Sequence, residues 1–190
     1  MQNSTMTTDR PAEITAAERE FAAFYLAATR DYLLDVLKDL SDAQWNFKPA
    51  ADRWSIAETM DHMAIVEERI QGILGQLAGA PADAPDRDVK RMDARLLVGV
   101  PMRYPRFKAP DRIAPVGGRT GRQALEQFVQ SRAKTIEGVA SFAHLRGRVM
   151  PHPVFGPIDG FQWIIAASGH CARHTGQILE VKHESAFPAA

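Results

Sequence analysis

Five short stretches of this chain carry the sequence signature of a helix start, and they constrain its fold more than any other feature. In each stretch a Ser, Thr or Asp precedes a Glu or Gln by three positions, so that each side chain accepts a free backbone N–H near the other residue. Apolar residues recur at helical spacing after most of these signatures. The pattern predicts four long helices and one short helical turn, beginning after Thr15, Ser55, Thr120 and Asp159, and after Ser41, respectively.

The segment between the second and third long helices is a long connection. Residues 80–119 are divided by six prolines, with a short helix predicted over 88–98 and irregular backbone elsewhere. Such a long connection is more often functional than idle. Residues 144–156, which carry two prolines, are predicted to be a loop, and no alternating strand pattern is evident. We therefore expect an all-α fold, a four-helix bundle with a long crossover connection.

Length and composition define the class of protein. The 190 residues fit one domain, predicted over 13–185, and the polar residues 1–12 are predicted to form a disordered tail. Basic and acidic residues number 23 each, so no basic surplus indicates a nucleic-acid partner. No apolar run is long enough for a membrane span, and the start lacks the apolar core of a signal peptide. A single cysteine, Cys171, excludes an internal disulfide framework and a cysteine-rich zinc site. We expect a cytoplasmic protein.

Two histidines four residues apart, His170 and His174, are the strongest indication of a functional site. On a helix this spacing places both imidazoles on one face, about one turn apart. Neutral imidazole is a common ligand of zinc, nickel, copper and iron. A third histidine, His62, lies on the second long helix. From spacing alone, surface or hydrogen-bonded histidines are the commoner explanation of the pair, and a satisfied core histidine is the commoner explanation of His62.

Two parts of the chain resemble the DinB-like (DNA-damage-inducible-type) superfamily, which includes relatives of bacillithiol transferases and of mycothiol-dependent maleylpyruvate isomerase. Residues 54–63 (WSIAETMDHM) resemble the second-helix motif of the superfamily. The stretch PHPVFGPI at 151–158, followed by GHCARHTGQI at 169–178, resembles its C-terminal signature. The resemblance covers nearly the whole chain and is weakest over 80–119. It implies a four-helix bundle, often a homodimer, with a divalent metal on His62, His170 and His174.

Three imidazoles with open positions are the arrangement of a catalytic metal site, whereas a closed structural site has four protein ligands. The resemblance therefore implies a metal-dependent enzyme with one zinc or nickel ion. It is expected to be a thiol-dependent S-transferase acting with a low-molecular-weight thiol, or else a hydrolase. The alternative is a non-enzymatic metal-binding stress-response protein. The sequence identifies neither the thiol nor the small-molecule substrate.

Six more side chains are candidates for the pocket wall or for hydrogen bonds to the ligands. Trp163 and Gln177 fall on roughly the same helical face as the histidine pair, and Arg173 is a candidate for binding an anion. The alternatives are a core tryptophan, a packed glutamine and a surface or ion-paired arginine. Carboxylates near the ligands in sequence are candidate bases or hydrogen-bond partners, but capping or solvated helix carboxylates are commoner. These carboxylates are Glu58, Glu67 and Glu180.

Overall fold

Every predicted helix start is confirmed. In the computed structural model, which describes residues 12–84, 86–106 and 108–189, all five signatures form complete capping boxes. The predicted tail lies almost entirely outside the described residues. The short helix of the crossover is also present and begins at an N-cap, Asp88, whose side chain accepts the N–H of Arg91. The chain is mostly helical, which confirms the predicted class.

The described residues form six α-helices and one pair of short strands. Four of the helices are long, and they pack on one another around two apolar clusters. The helices are α1 (Ala16–Val36), α2 (Asp42–Asn46), α3 (Ile56–Gln76), α4 (Val89–Gly99), α5 (Gly121–Gly138) and α6 (Gly160–Lys182). The strands are β1 (Val149–His152) and β2 (Gly156–Asp159).

The prediction that residues 144–156 form only a loop is wrong. β1 and β2 pair antiparallel, with Val149 opposite Asp159 and His152 opposite Gly156. The prolines in these strands, Pro151 and Pro157, lie opposite each other in the register, so neither strand offers an N–H donor at that position. Strands this short, with a proline in each, leave too little alternation for a sequence pattern to detect.

The first helix ends earlier than its apolar spacing suggests. The periodicity continues to Leu40, but α1 stops at Val36, and Asp39 adopts a left-handed backbone conformation with φ of 56°. Leu37 and Leu40 nevertheless remain buried, each 5% exposed. The apolar pattern therefore continues through the turn because the turn also packs on the core.

The N-terminus of α6 is fixed by buried charges. Asp159 caps the helix, and its carboxylate also accepts from Arg146 at 2.9 Å and from Arg87 at 3.1 Å. Arg146 also donates to Asp93 of α4 at 3.1 Å. These bonds join the hairpin, the crossover and the helix that carries His170 and His174.

The crossover lies against α6 at two glycines. A Cβ atom at Gly169 would lie 3.0 Å from Val100, and one at Gly176 would lie 3.4 Å from Arg103. Together with the contacts between α4 and α6, this close approach brings the crossover next to the histidine pair. Across the described ranges, no helix combines the length and apolar character needed to span a membrane.

Candidate metal centre

Helix α6 places His170 and His174 side by side. The two residues are separated by one helical turn, and their ring centroids lie 4.4 Å apart. His174 is 7% exposed, whereas His170 retains partial exposure. The pair therefore faces inward, with one imidazole at the edge of the core.

Helix α3 brings His62 to this pair. Its ring centroid lies 5.0 Å from that of His170 and 4.8 Å from that of His174. One ligand nitrogen from each of the three residues lies within 4.8 Å of the others, and in the described part of the chain no Cys, Asp or Glu joins this group. The structure thus brings together the three histidines that the sequence indicated.

The spacing of these nitrogens fits a divalent metal ion. Nε2 of His62 and Nε2 of His170 lie 3.0 Å apart. A tetrahedral ion with Zn–N bonds of about 2.0–2.1 Å separates its ligand nitrogens by about 3.3 Å. The distance between these two nitrogens is therefore close to that between two ligands of one ion, and the third imidazole lies within 4.8 Å of both.

Hydrogen bonds outside the cluster fix the tautomers of two histidines. Nδ1 of His62 donates to the carbonyl oxygen of Ile113 at 2.6 Å, and Nδ1 of His174 donates to Oε1 of Gln177 at 3.0 Å. An imidazole that donates from Nδ1 keeps its lone pair on Nε2 in the neutral form. Such outer partners are typical of metal-ligating histidines.

The three imidazoles are neutral at neutral pH. Burial lowers the pKa of His62, against the opposing effects of the Ile113 carbonyl and of Asp61. Burial, reinforced by the neighbouring imidazoles and arginines, holds the pKa values of His170 and His174 well below the ordinary range. Neutral imidazole is the form that binds a metal ion, so the ligands need lose no protons.

Four of the six candidate side chains take different positions around the cluster. Gln177 bonds to a ligand imidazole rather than packing passively. Arg173 donates to the carbonyl oxygens of Arg103 and Pro105, and thus joins α6 to the crossover. Trp163 is 5% exposed, and its ring lies 4.9 Å from that of His152 in the hairpin. Glu58 caps α3 and accepts from Lys48 at 2.8 Å.

The other two candidate carboxylates form ion pairs. Glu67 is 2% exposed and accepts two bonds of 2.7 Å from Arg132, which is fully buried. The commoner explanation, a capping or solvated carboxylate, is therefore wrong for Glu67. Its carboxylate is half of an ion pair in the core. Glu180 accepts from Arg103 at 2.9 and 3.0 Å.

Cys171 is a core residue. It is 1% exposed, and its Sγ donates to the carbonyl oxygen of Thr29 at 3.4 Å. Burial raises the pKa of its thiol to about 11, so the thiolate is not populated at neutral pH. Cys171 therefore packs in the core and does not serve as a nucleophile.

Two outer partners of the site have no signal in the sequence. Ile113 contributes a backbone carbonyl, which any residue would carry. Arg103 donates to Oε1 of Gln177 at 3.4 Å while its other nitrogens hold Glu180. Both residues belong to the crossover, where the sequence pattern is weakest. The contact of Arg103 with α6 could be predicted only if the path of the crossover were known.

Comparison with known proteins identifies the family of the chain. A sequence profile of the DinB superfamily matches residues 25–178, which include all three histidines. The chain belongs to the DinB superfamily. The matched region contains α3, α5, the crossover and the hairpin in full, together with part of α1 and most of α6.

One curated relative also matches most of the chain. The DinB-superfamily chain is 32% identical over 150 residues to the uncharacterized protein YuaE of Bacillus subtilis (strain 168). The alignment covers 78% of this chain and 89% of YuaE. No solved structure matches the chain significantly.

Proposed function

We propose that this DinB-superfamily protein is a metal-dependent enzyme whose site is built on His62, His170 and His174. The observation that carries the proposal is the convergence of three neutral imidazoles within 4.8 Å, two of them with Nδ1 held by outer acceptors. We assign one divalent ion, zinc or nickel, to the cluster. A three-histidine set suits both ions and leaves at least one coordination position open.

The open position gives the site its chemistry. A divalent ion bound there would lower the pKa of a thiol or a water and so supply a nucleophile at neutral pH. The three imidazoles are uncharged ligands, so they leave the full charge of the ion available to an anionic partner. Because His170 is the partly exposed ligand, the substrate is expected to approach from its side.

Positive charge around the cluster favours an anionic nucleophile such as a thiolate at the ion. The guanidinium groups of Arg103 and Arg173 act electrostatically on His174, and each helps to lower its pKa. The same groups would stabilise a thiolate beside the ion. We therefore prefer a thiol-dependent S-transferase acting with a low-molecular-weight thiol and an electrophilic small molecule, and we keep a hydrolase as the second reaction class.

The scaffold of the proposal is a four-helix bundle of DinB-like type. Contacts of α3 with α5 and α6, and of α1 with α5 and α6, support this assignment. Bundles build cofactor sites from side chains on facing helices, as α3 and α6 do here. The crossover then closes one side of the site.

The test is an assay of the purified, metal-loaded protein. Low-molecular-weight thiols are combined with model electrophiles, and a panel of esters and amides is tested separately. Turnover that disappears in His174→Ala but persists in His183→Ala, which removes an exposed histidine beyond α6, would support the enzyme. Bound metal without turnover across both panels would instead identify a non-enzymatic metal-binding protein.

A further inference from the structure

The loop of residues 113–119 lies over His62 with little apolar anchorage. Residues 116–118 are exposed, Val116 being 74% exposed, and residues 113–115 and 119 are half-buried without joining either apolar cluster. Hydrophobic burial therefore contributes little to its position. Yet this loop begins with the Ile113 carbonyl that accepts the Nδ1 proton of His62 at 2.6 Å. Polar bonds must hold it in place.

Asp61 supplies those bonds. One carboxylate oxygen accepts the backbone N–H of Val116 at 2.9 Å, and the other accepts Nε of Arg119 at 2.8 Å. The carboxylate is itself almost fully buried, with its side chain 4% exposed, whereas Arg119 is 30% exposed. Asp61 therefore bridges two points of the loop from a fixed position on α3.

The geometry links this bridge to the neighbouring ligand. Successive residues of an α-helix point about 100° apart, so Asp61 and His62 face different directions from one turn of α3. The loop is bonded to both residues. Ile113 accepts a hydrogen bond from His62, and Val116 and Arg119 donate hydrogen bonds to Asp61. Three residues of chain span at most about 11 Å, so fixing Val116 restricts where the Ile113 carbonyl can lie.

We propose that Asp61 is a positioning residue that holds the 113–119 loop so that the Ile113 carbonyl keeps the proton of His62 on Nδ1. The role of this bond in metal binding rests on the proposed function; its role in setting the tautomer does not. Asp61 itself does not belong to the three-histidine cluster. It holds the loop, and the loop in turn places the Ile113 carbonyl at Nδ1 of His62.

The experiment compares Asp61→Asn and Arg119→Met with a matched control, Lys48→Met. Lys48 pairs with Glu58 in the same cleft of about 210 Å³ that Asp61 and Arg119 line. The control thus removes a neighbouring ion pair without touching the loop. Asp61→Asn replaces one carboxylate oxygen by an amide N–H₂, which cannot accept the hydrogen bond of Val116 or of Arg119. Arg119→Met removes the Arg119 donor and leaves the carboxylate of Asp61 intact. Circular dichroism establishes which variants are folded.

Two readouts are measured on each folded variant. Long-range ¹H–¹⁵N spectra of the metal-free protein report the tautomer of His62, and chelator competition reports the affinity for Zn²⁺. We expect a single Nδ1–H tautomer in the wild type and in Lys48→Met, and a mixed population in both loop variants. The affinity for Zn²⁺ should fall roughly tenfold in Asp61→Asn, as for loss of an outer partner of a ligand, and less in Arg119→Met.

The outcomes separate this proposal from the proposed function. An unchanged His62 tautomer in the folded loop variants overturns the positioning role of Asp61, whatever the metal affinity. If Asp61→Asn does not fold, Arg119→Met decides on the same criterion. A wild-type protein that binds no Zn²⁺ contradicts the metal-dependent function, while the tautomer measurement still tests Asp61.

Discussion

Nδ1 of His174 lies 3.0 Å from Oε1 of Gln177, which follows it by three residues on the same helix. The amide oxygen accepts the Nδ1 proton, so the lone pair of His174 is left on Nε2 for the cluster. Arg103 donates to the same amide oxygen at 3.4 Å. The orientation of one ligand therefore depends on a neighbouring turn of α6 and on the crossover.

Replacing Gln177 should weaken metal binding without removing a ligand. In Gln177→Leu the Nδ1 proton loses its acceptor, so the ring orientation and tautomer of His174 are no longer fixed. We expect the affinity for Zn²⁺, measured by chelator competition, to fall about tenfold or more. Gln177→Glu keeps an acceptor at the same place and should retain the affinity. Equal affinities for Gln177→Leu and the wild type would exclude this role for Gln177.

Removing any one of the three histidines should remove most of the metal. His62→Ala, His170→Ala and His174→Ala each leave two imidazoles, too few for a stable site in this cluster. Elemental analysis after dialysis measures the metal retained per chain, with His183→Ala as the control. A histidine variant that retains wild-type metal content would remove that residue from the proposed site.

Removing one charge from the buried ion pair of Glu67 and Arg132 should lower the free energy of unfolding more than removing one from an exposed ion pair. Glu67→Ala leaves the fully buried guanidinium without its carboxylate, which destabilises by about 3–5 kcal/mol. Urea unfolding at equilibrium measures this difference in the free energy of unfolding. Lys38→Met, which removes an exposed ion pair with Asp35, should change stability far less. Similar losses in the two variants would show that burial does not set the strength of the Glu67 pair.

The hairpin should lose stability in mild acid because of His152. Its Nδ1 accepts from the backbone N–H groups of Val154 and Phe155, and burial lowers its pKa to about 4. The unfolded pKa is about 6.5, so the unfolded chain binds more protons between these values. The contribution is fully present above pH 6.5 and is lost as the pH falls toward 4. After allowance for partial exposure, it amounts to about 1–3 kcal/mol.

His152→Asn is the variant that isolates this effect. An asparagine keeps an oxygen acceptor near the position of Nδ1 but does not titrate. We expect its free energy of unfolding, followed in urea from pH 7.5 to 4.5 in metal-free protein, to fall less steeply than that of the wild type. Parallel curves for the two proteins would contradict the depressed pKa of His152.

The sequence predicted the parts of the fold that depend on local chemistry. A capping box satisfies backbone groups within three residues, so Thr15, Ser55 and Asp159 identify their helix starts without tertiary information. The convergence of His62 with the pair on α6 also followed, through the resemblance of two distant motifs. The hairpin did not, because its strands are short and Pro151 and Pro157 interrupt their pattern.

Two outer partners of the site, Ile113 and Arg103, depend on tertiary structure and had no local signal. The acceptor for His62 is a backbone carbonyl, and its position depends on a loop held by Asp61. Arg103 reaches Gln177 only because the crossover packs on α6 at Gly176. The homodimer and the cytoplasmic location stay predictions.

X-ray absorption spectroscopy of the protein purified from metal-replete cells tests the three-histidine site most directly. The account predicts close to one zinc or nickel ion per chain, with nitrogen ligands at about 2.0–2.1 Å for zinc and the multiple scattering of three imidazoles. It also predicts at least one additional light-atom ligand at the open position. A protein that retains no ion under these conditions, or an ion without imidazole scattering, would contradict the account.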